Sequence, residues 1–224
     1  DYRLGTETIS SRQARGRVSA APIHARFSAP SFHAAAMDGL AVRAEETFGA
    51  TDEAPLTLNI DNGQAVMINT GYPLPAEKNA VIMIENVLLS EDGKEGVIRA
   101  PVYPWQHVRK VGEDIVATEL LFPTGHRFRP PDIGALLTGG CSEVEVRKQP
   151  QVAIIPTGNE LVRLEDVVES VPAGKTIESN TEVLAGLVEQ AGAKATVSPI
   201  ISDDFEAITT HVQAMVASDA DMMI

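Results

Sequence analysis

One cysteine, Cys141, occurs in 224 residues. A lone thiol excludes an internal disulfide and fits a reducing cytoplasm, where its plain role is that of a small core residue on a strand. Long apolar runs are also missing: none approaches the roughly 18 residues of a membrane span. The opening Asp1-Tyr2-Arg3-Leu4-Gly5-Thr6-Glu7 has no basic start followed by an apolar stretch, so no signal peptide is expected. The lack of an initiating Met, together with an end inside an apparent strand, points to a trimmed fragment. Aromatics are few, with Trp105 the only tryptophan, which disfavours stacking surfaces for single-stranded nucleic acid. Basic residues are outnumbered 18 to 31, giving a net charge of −13. That balance argues against nucleic acid or an anionic membrane as partner. A small anionic ligand stays compatible if local cations, helix N-termini or a divalent metal offset the field. No G-x-S-x-G elbow, H-E-x-x-H pair or paired-cysteine metal pattern is present, and the five histidines (His24, His33, His107, His126 and His211) are scattered. Gly174-Lys175-Thr176 imitates the end of a phosphate loop, but position 169 is Glu and no strand precedes it, so it reads as a surface loop.

What is present begins most clearly at Gln151. Val152-Ala153-Ile154-Ile155 is a buried-strand run that stops at Pro156 and turns through Thr157-Gly158-Asn159-Glu160. A helix over 181–191, a second run over 195–201, a helix over 205–217 and a third strand from Asp219 follow, with Ser202-Asp203-Asp204 breaking the second run. This alternation predicts parallel strands with crossover helices, and ligands of such sheets gather at the carboxyl ends of the strands. Ser179-x-x-Glu182 and Asp203-x-x-Glu206 match capping boxes. The expected inward faces are Val183, Leu184, Leu187, Val188 and Ala191 on the first helix and Ile208, His211, Val212 and Met215 on the second.

Upstream the pattern differs. Residues 7–15 form a weak helix candidate closed by Gly16, and 17–32 read as extended chain. Short strands are expected at 40–42, 56–60, 65–68, 81–84, 97–100 and 108–111, separated by Gly, Pro and Asp turns, which suggests a small antiparallel sheet or barrel. Pro130-Pro131-Asp132 opens a short helix ending before Gly139-Gly140, and Val144 and Val146 alternate with charged residues as a half-buried strand.

Asp203-Asp204 stands at the end of the second parallel strand, where a helix cap is the plain reading and a carboxylate holding Mg²⁺ the functional one. Thr157 to Glu160 is a turn by default; as a site it would offer backbone amides and a carboxylate beside the crevice. Asp38-Gly39, Thr70-Gly71 and Gly112-Glu113-Asp114 are each turns when taken singly.

Taken in order, these segments carry more. Ala36-Met37-Asp38-Gly39-Leu40-Ala41-Val42-Arg43 resembles the AMDGYAVR signature of the MoeA/gephyrin E-domain family, the molybdopterin molybdenumtransferases. Asn69 to Pro75, Ala80 to Glu85, Arg109 to Asp114, Pro131 to Gly134, Pro156 to Leu161, and Glu178-Ser179-Asn180 with Ser202-Asp203-Asp204 resemble its further motifs in register. The resemblance implies insertion of molybdate into adenylylated molybdopterin with Mg²⁺-dependent release of AMP, by a homodimer supplied by a molybdopterin adenylyltransferase. By motif, Asp38, Thr70, Asp114 and Glu160 fall on catalytic positions, Thr157, Gly158, Asn159 and Arg109 on binding positions, and Asp203 on the metal position. Arg43, Arg109 and Lys110 are candidate counter-charges to the substrate phosphate, with salt bridges as the competing role.

The departures are His33-Ala34-Ala35 where the family carries a polar Asn-Ser, Leu40 for an aromatic, and Glu178 for Asp. The chain also ends ahead of the family's SGG-rich loop and C-terminal β domain, so on this resemblance the 224 residues alone are expected to be inactive. The expected fold is α/β plus β: a linking domain (1–23 and 118–144), an inserted β-rich domain (24–117) and an incomplete molybdopterin-binding-like α/β domain (145–224). The competing reading is a non-catalytic paralogue that binds a pterin as sensor or scaffold.

Overall fold

The structure, a computed structural model, describes residues 4–224. The chain divides into two compact units: 1–21 with 124–130 and 143–224, and 22–123 with 131–142. The first three residues of the expected linking domain lie outside the described residues.

In the unit built from 22–123, the strand Gly39–Val42 lies between Val66–Ile68 and Ala80–Met83, antiparallel to both. Its side chains alternate between two cores. Leu40 and Val42 join Ala80, Ile82, Leu58, Ile98 and Val102 on one face; Ala41 joins Val81, Ile68, Ala35 and Val108 on the other. A strand covered on both sides reads as a continuous apolar run, which is why Leu40-Ala41-Val42 shows no polar alternation. A second sheet, Leu56–Asn59, Glu95–Ile98 and Val87–Leu89, supplies the opposing wall of the larger core. Leu40 is fully buried, and Gly96 makes room for it: a Cβ there would stand 2.9 Å from Leu40 Cδ1 and from Val87 Cγ1. The strand Val87–Leu89 is not announced by sequence, because it is an outer strand whose Leu88 and Leu89 are exposed. Ala34–Ala35 pairs with Val108–Arg109, shorter than the expected 108–111 because Lys110 to Glu113 turns, the Glu113 amide donating to the Lys110 carbonyl at 3.1 Å.

In the other unit, Thr6–Ser10 pairs antiparallel with Glu143–Arg147, whose Val144 and Val146 are buried while Glu143 and Glu145 are exposed, as the alternation predicts. The helix expected over 7–15 does not form. The segment is this strand followed by a 3₁₀ turn, Ser11–Gln13; its β-branched Thr6, Thr8 and Ile9 suit a ladder whose other half lies far along the chain.

The α/β part has a three-stranded parallel sheet. Gln151–Ile154 is central, flanked by Lys194–Val197 and Met222–Met223. Two helices connect them, Asn180–Ala191 and Phe205–Val216. The first buries Thr181 and Val188, with Leu184 and Ala185 partly buried against Val152 and Ile154, while Val183 and Leu187 point outward, so the inward face is rotated from the one expected. On the second, Ile208, His211 and Met215 are half-buried, and Val212 is exposed.

Both caps are displaced from the predicted boxes. At the first helix the Ser179 side chain makes no capping bond; Glu178 accepts from the Thr181 amide (2.9 Å) and from its hydroxyl. At the second, Asp204 caps, accepting from the Ala207 amide at 2.9 Å, which leaves Asp203 outside the helix.

The tightest backbone approach in the first-described sheet is at Gly39, where a Cβ would lie 1.8 Å from the Ile82 carbonyl oxygen. Gly39→Ala is expected to destabilise the chain by about 2–4 kcal/mol in urea titration. Gly134→Ala, in the helix Pro130–Thr138 with open space around the new methyl, is expected to stabilise by up to about 1 kcal/mol.

Candidate functional site

The nine residues singled out by motif fall into two groups, one in each unit: two separate hydrogen-bonded pairs in the β-rich unit and one loop cluster in the α/β unit.

In the β-rich unit, Asp38 sits at the lip of the central strand. Its Oδ1 accepts from both the amide (2.7 Å) and the hydroxyl (2.9 Å) of Thr70, 32 residues later. The Thr70 loop is held by its own ladder: the Gly71 amide donates to the Ala35 carbonyl (2.8 Å), and the Ala35 amide to the Tyr72 carbonyl (3.0 Å). The amide and then the hydroxyl of Thr70 lower the Asp38 carboxyl pKa from its ordinary value.

Arg109 and Asp114 form a second pair in the same unit. The guanidinium reaches both carboxylate oxygens (2.6 and 2.5 Å) and lies 3.6 Å from Glu113. The hydrogen bond and charge of Asp114 push the Arg109 pKa up. Both bonds come from the one nitrogen Nη2, so the contact lacks the two parallel N–H groups of a bidentate fork; both partners are exposed, so it sets geometry more than stability. Of the three candidate counter-charges, Arg109 is therefore partnered by a carboxylate, and Lys110 lies 5.3 Å over the Trp105 ring. The turn is fixed from beneath, with the Gly112 amide on the Pro30 carbonyl (3.0 Å) and the Asp114 amide on Ala29 (2.9 Å).

In the α/β unit, the loop after the central parallel strand meets the loop after its neighbour. Thr157 bridges Ile201, and the Gly158 amide donates to the Ile201 carbonyl at 3.0 Å. Asn159 and Asp203 then clasp each other: the Asn159 amide donates to Asp203 Oδ2 (3.1 Å), and the Asp203 amide to Asn159 Oδ1 (3.2 Å). The amides expected to face a ligand at 158 and 159 are thus engaged internally, and the loop presents side chains instead. The Glu160 carboxylate folds over Gly158, where a Cβ would stand 2.7 Å from either oxygen, so only glycine admits this pose.

Lys175 joins this loop, its Nζ donating to the Asn159 carbonyl at 2.5 Å. By sequence it reads as part of a plain surface loop. The parallel pairing of Leu161–Val162 with Thr176–Ile177 brings it here, and two-residue strands leave no periodicity to read. Beside this loop, a cleft of about 520 Å³ runs past Pro156, Arg163, Glu178, Thr181 and Ser198. Burial pulls the Glu178 pKa up, but the Thr181 hydroxyl and amide and the Asn180 amide outweigh it and leave it lowered.

No group of three or more His, Cys, Asp or Glu placed to hold a metal occurs among the described residues. With Asp203 Oδ2 held by Asn159, the chain offers Oδ1 on a loop rather than a cage. A single carboxylate oxygen fits a Mg²⁺ ion that keeps most of its shell as water, as that ion commonly does.

The departures from the motif pattern have packing explanations. Ala34 and Ala35 are buried in the narrow ribbon between Pro73 and Val108, and the longer Glu178 serves as the helix cap. No helix among the described residues is long and apolar enough to cross a membrane.

A family model described as the MoeA N-terminal region (domain I and II) matches residues 3–140. A molybdopterin molybdenumtransferase 2 of Mycobacterium tuberculosis is 33% identical over 235 residues, covering 97% of this chain and 56% of that protein. A molybdopterin molybdenumtransferase of a Nostoc species is 29% identical over 238 residues, covering 100% of this chain and 53% of that protein. The crystal structure of a molybdopterin biosynthesis moeA protein from Pyrococcus horikoshii OT3 superposes with a TM-score of 0.88 at 33% identity, covering 98% of this chain and 60% of that one. The chain spans about half the length of the curated relatives it matches.

The Asp38–Thr70 contact carries a pH test. A depressed carboxyl pKa contributes stability above the unfolded value of about 3.9 and loses it as pH falls through the folded value. Thr70→Val removes the hydroxyl donor and keeps the amide, so carboxyl-carbon NMR should show the Asp38 titration moving part of the way up towards its ordinary position. Stability at pH 7 should change little.

Proposed function

The chain belongs to the MoeA family, and from that premise we propose that it supplies the substrate-binding surfaces of an enzyme that inserts molybdate into adenylylated molybdopterin with Mg²⁺-dependent release of AMP. The observation that carries this reading is that residues of separate motifs, far apart in sequence, meet in direct hydrogen bonds: Asp38 with Thr70, and Asn159 with Asp203. Each pair holds a carboxylate in a fixed orientation, as positioning chemistry requires.

Asp203 is the Mg²⁺ contact in this reading. When bound, the ion neutralises phosphate charge that an acidic chain would otherwise repel. Cleavage of a phosphoric anhydride depends on such neutralisation and on positioning more than on a protein nucleophile. The residues here have matching roles. Glu160 and Thr157 belong to the strand-end binding surface of the α/β unit, with Gly158 permitting the carboxylate pose and Asn159 orienting Asp203. Lys175 braces that loop. Asp38, Thr70 and Asp114 offer a separate binding surface on the β-rich unit, where Arg109 orients Asp114. The reading carries with it a homodimer, handover of substrate from a molybdopterin adenylyltransferase, and the division into a linking domain (1–23 and 118–144), a β-rich domain (24–117) and an α/β domain (145–224).

The test uses a protein of the relatives' full length carrying this chain. Asp203→Asn keeps an oxygen for the Asn159 amide, so the fold should persist. Mg²⁺ affinity should fall by about 10–100-fold or more, and AMP release from adenylylated molybdopterin should stop. Unchanged turnover would remove Asp203 from the metal role.

A further inference from the structure

Trp105, the only tryptophan of the chain, occupies an unusual place. Its backbone is left-handed (φ 70°), and so is that of His107 (φ 54°), a region that a bulky side chain enters only when its surroundings impose it. Those surroundings are evident: the Trp105 amide donates to the Asn79 carbonyl (2.6 Å), the Val108 amide to the Trp105 carbonyl (3.3 Å), and the Val81 amide to the Gln106 carbonyl (3.0 Å). The result is an indole 40% exposed to solvent. The His33 ring lies 4.8 Å from it, tilted by 51°, and the Lys110 ammonium stands 5.3 Å over its face. His33 Nδ1 accepts from the Val111 amide (3.2 Å), which places the imidazole proton on Nε2 as a donor. All three residues border the ribbon formed by Ala34–Ala35 and Val108–Arg109, whose strands lead on to Asp38 and to Asp114.

We infer that His33, Trp105 and Lys110 form a stacking site for the flat ring of a phosphorylated heterocycle, with the indole taking the ring and the Lys110 ammonium taking the phosphate. The choice of ligand class rests on the function proposed above; the site itself rests on the geometry. A cation over an exposed aromatic face is held weakly and on a flexible stem, so a planar ligand displaces it from the face at little cost. The displaced ammonium remains within reach of an anionic group on that ligand. Stacking on one aromatic ring is indifferent to the identity of the base, so a purine and a pterin are both admitted. The lysine then supplies, in a chain of net charge −13, the local positive charge that a phosphate needs.

A single tryptophan gives a single indole N–H resonance, which reports on this site alone. AMP and a pterin monophosphate are titrated separately into the ¹⁵N-labelled chain, with adenosine and ribose 5-phosphate as part-ligands. At least one complete ligand should shift the indole resonance saturably, each part-ligand binding about tenfold more weakly or worse. Lys110→Gln should weaken the complete ligand and leave adenosine unaffected. Trp105→Gly, which relaxes the left-handed backbone, should fold with a Tm equal to or above the parent's yet lose binding in equilibrium dialysis. Absence of saturation by either complete ligand, or equal binding of ribose 5-phosphate, would overturn the site. So would a Trp105→Gly chain that still binds. Saturation without AMP release in the full-length protein would remove only the proposed function, and AMP release without saturation only this site.

Discussion

Close backbone contact at Gly39 governs the β-rich unit. The central strand can lie against the Ile82 carbonyl only without a side chain at that point. From there Leu40 and Val42 turn into one core and Ala41 into the other. The residue immediately before the glycine is Asp38, so the packing constraint and the carboxylate are adjacent in the chain. The Ile84 amide donates to the Asp38 carbonyl at 3.0 Å, and this carboxylate is therefore borne by backbone that is hydrogen-bonded on the sheet side as well as by the Thr70 contact on the other. The candidate carboxylate on this unit is thus tied directly to its core sheet.

The α/β unit solves a similar problem with neighbouring aspartates. Asp204 caps the helix Phe205–Val216, and this frees Asp203 to meet Asn159. One residue does the structural work, and the other can be turned to the loop. A sequence match to a capping box cannot tell which of two adjacent aspartates takes which part; that depends on where the backbone leaves the strand-end loop.

Much of the architecture was legible because local patterns and tertiary packing agreed. The helices Asn180–Ala191 and Phe205–Val216 and the strand Gln151–Ile154 lie within a residue of their expected bounds, each a periodic or apolar run closed by Gly, Pro or Asp. Thr6–Ser10 was not legible, since its ladder partner is Glu143–Arg147 and no local signal carries that pairing. Val183 and Leu187 depart from the expected helix face because an apolar residue on a short amphipathic helix need not be the one turned to the sheet. Motif resemblance names the candidate residues, but their pairing comes from the fold: nothing in the spacing says that Arg109 bonds Asp114, or that Lys175 reaches the Asn159 carbonyl.

The reciprocal bonds between Asn159 and Asp203 tie the two strand-end loops of the parallel sheet together. Only Oδ2 of Asp203 takes part, so its other oxygen can meet an electrophile while the clasp stays closed. The loop is then preorganised: its side chain need not surrender a bond on a ligand's arrival, and less ordering is left to be done at that moment.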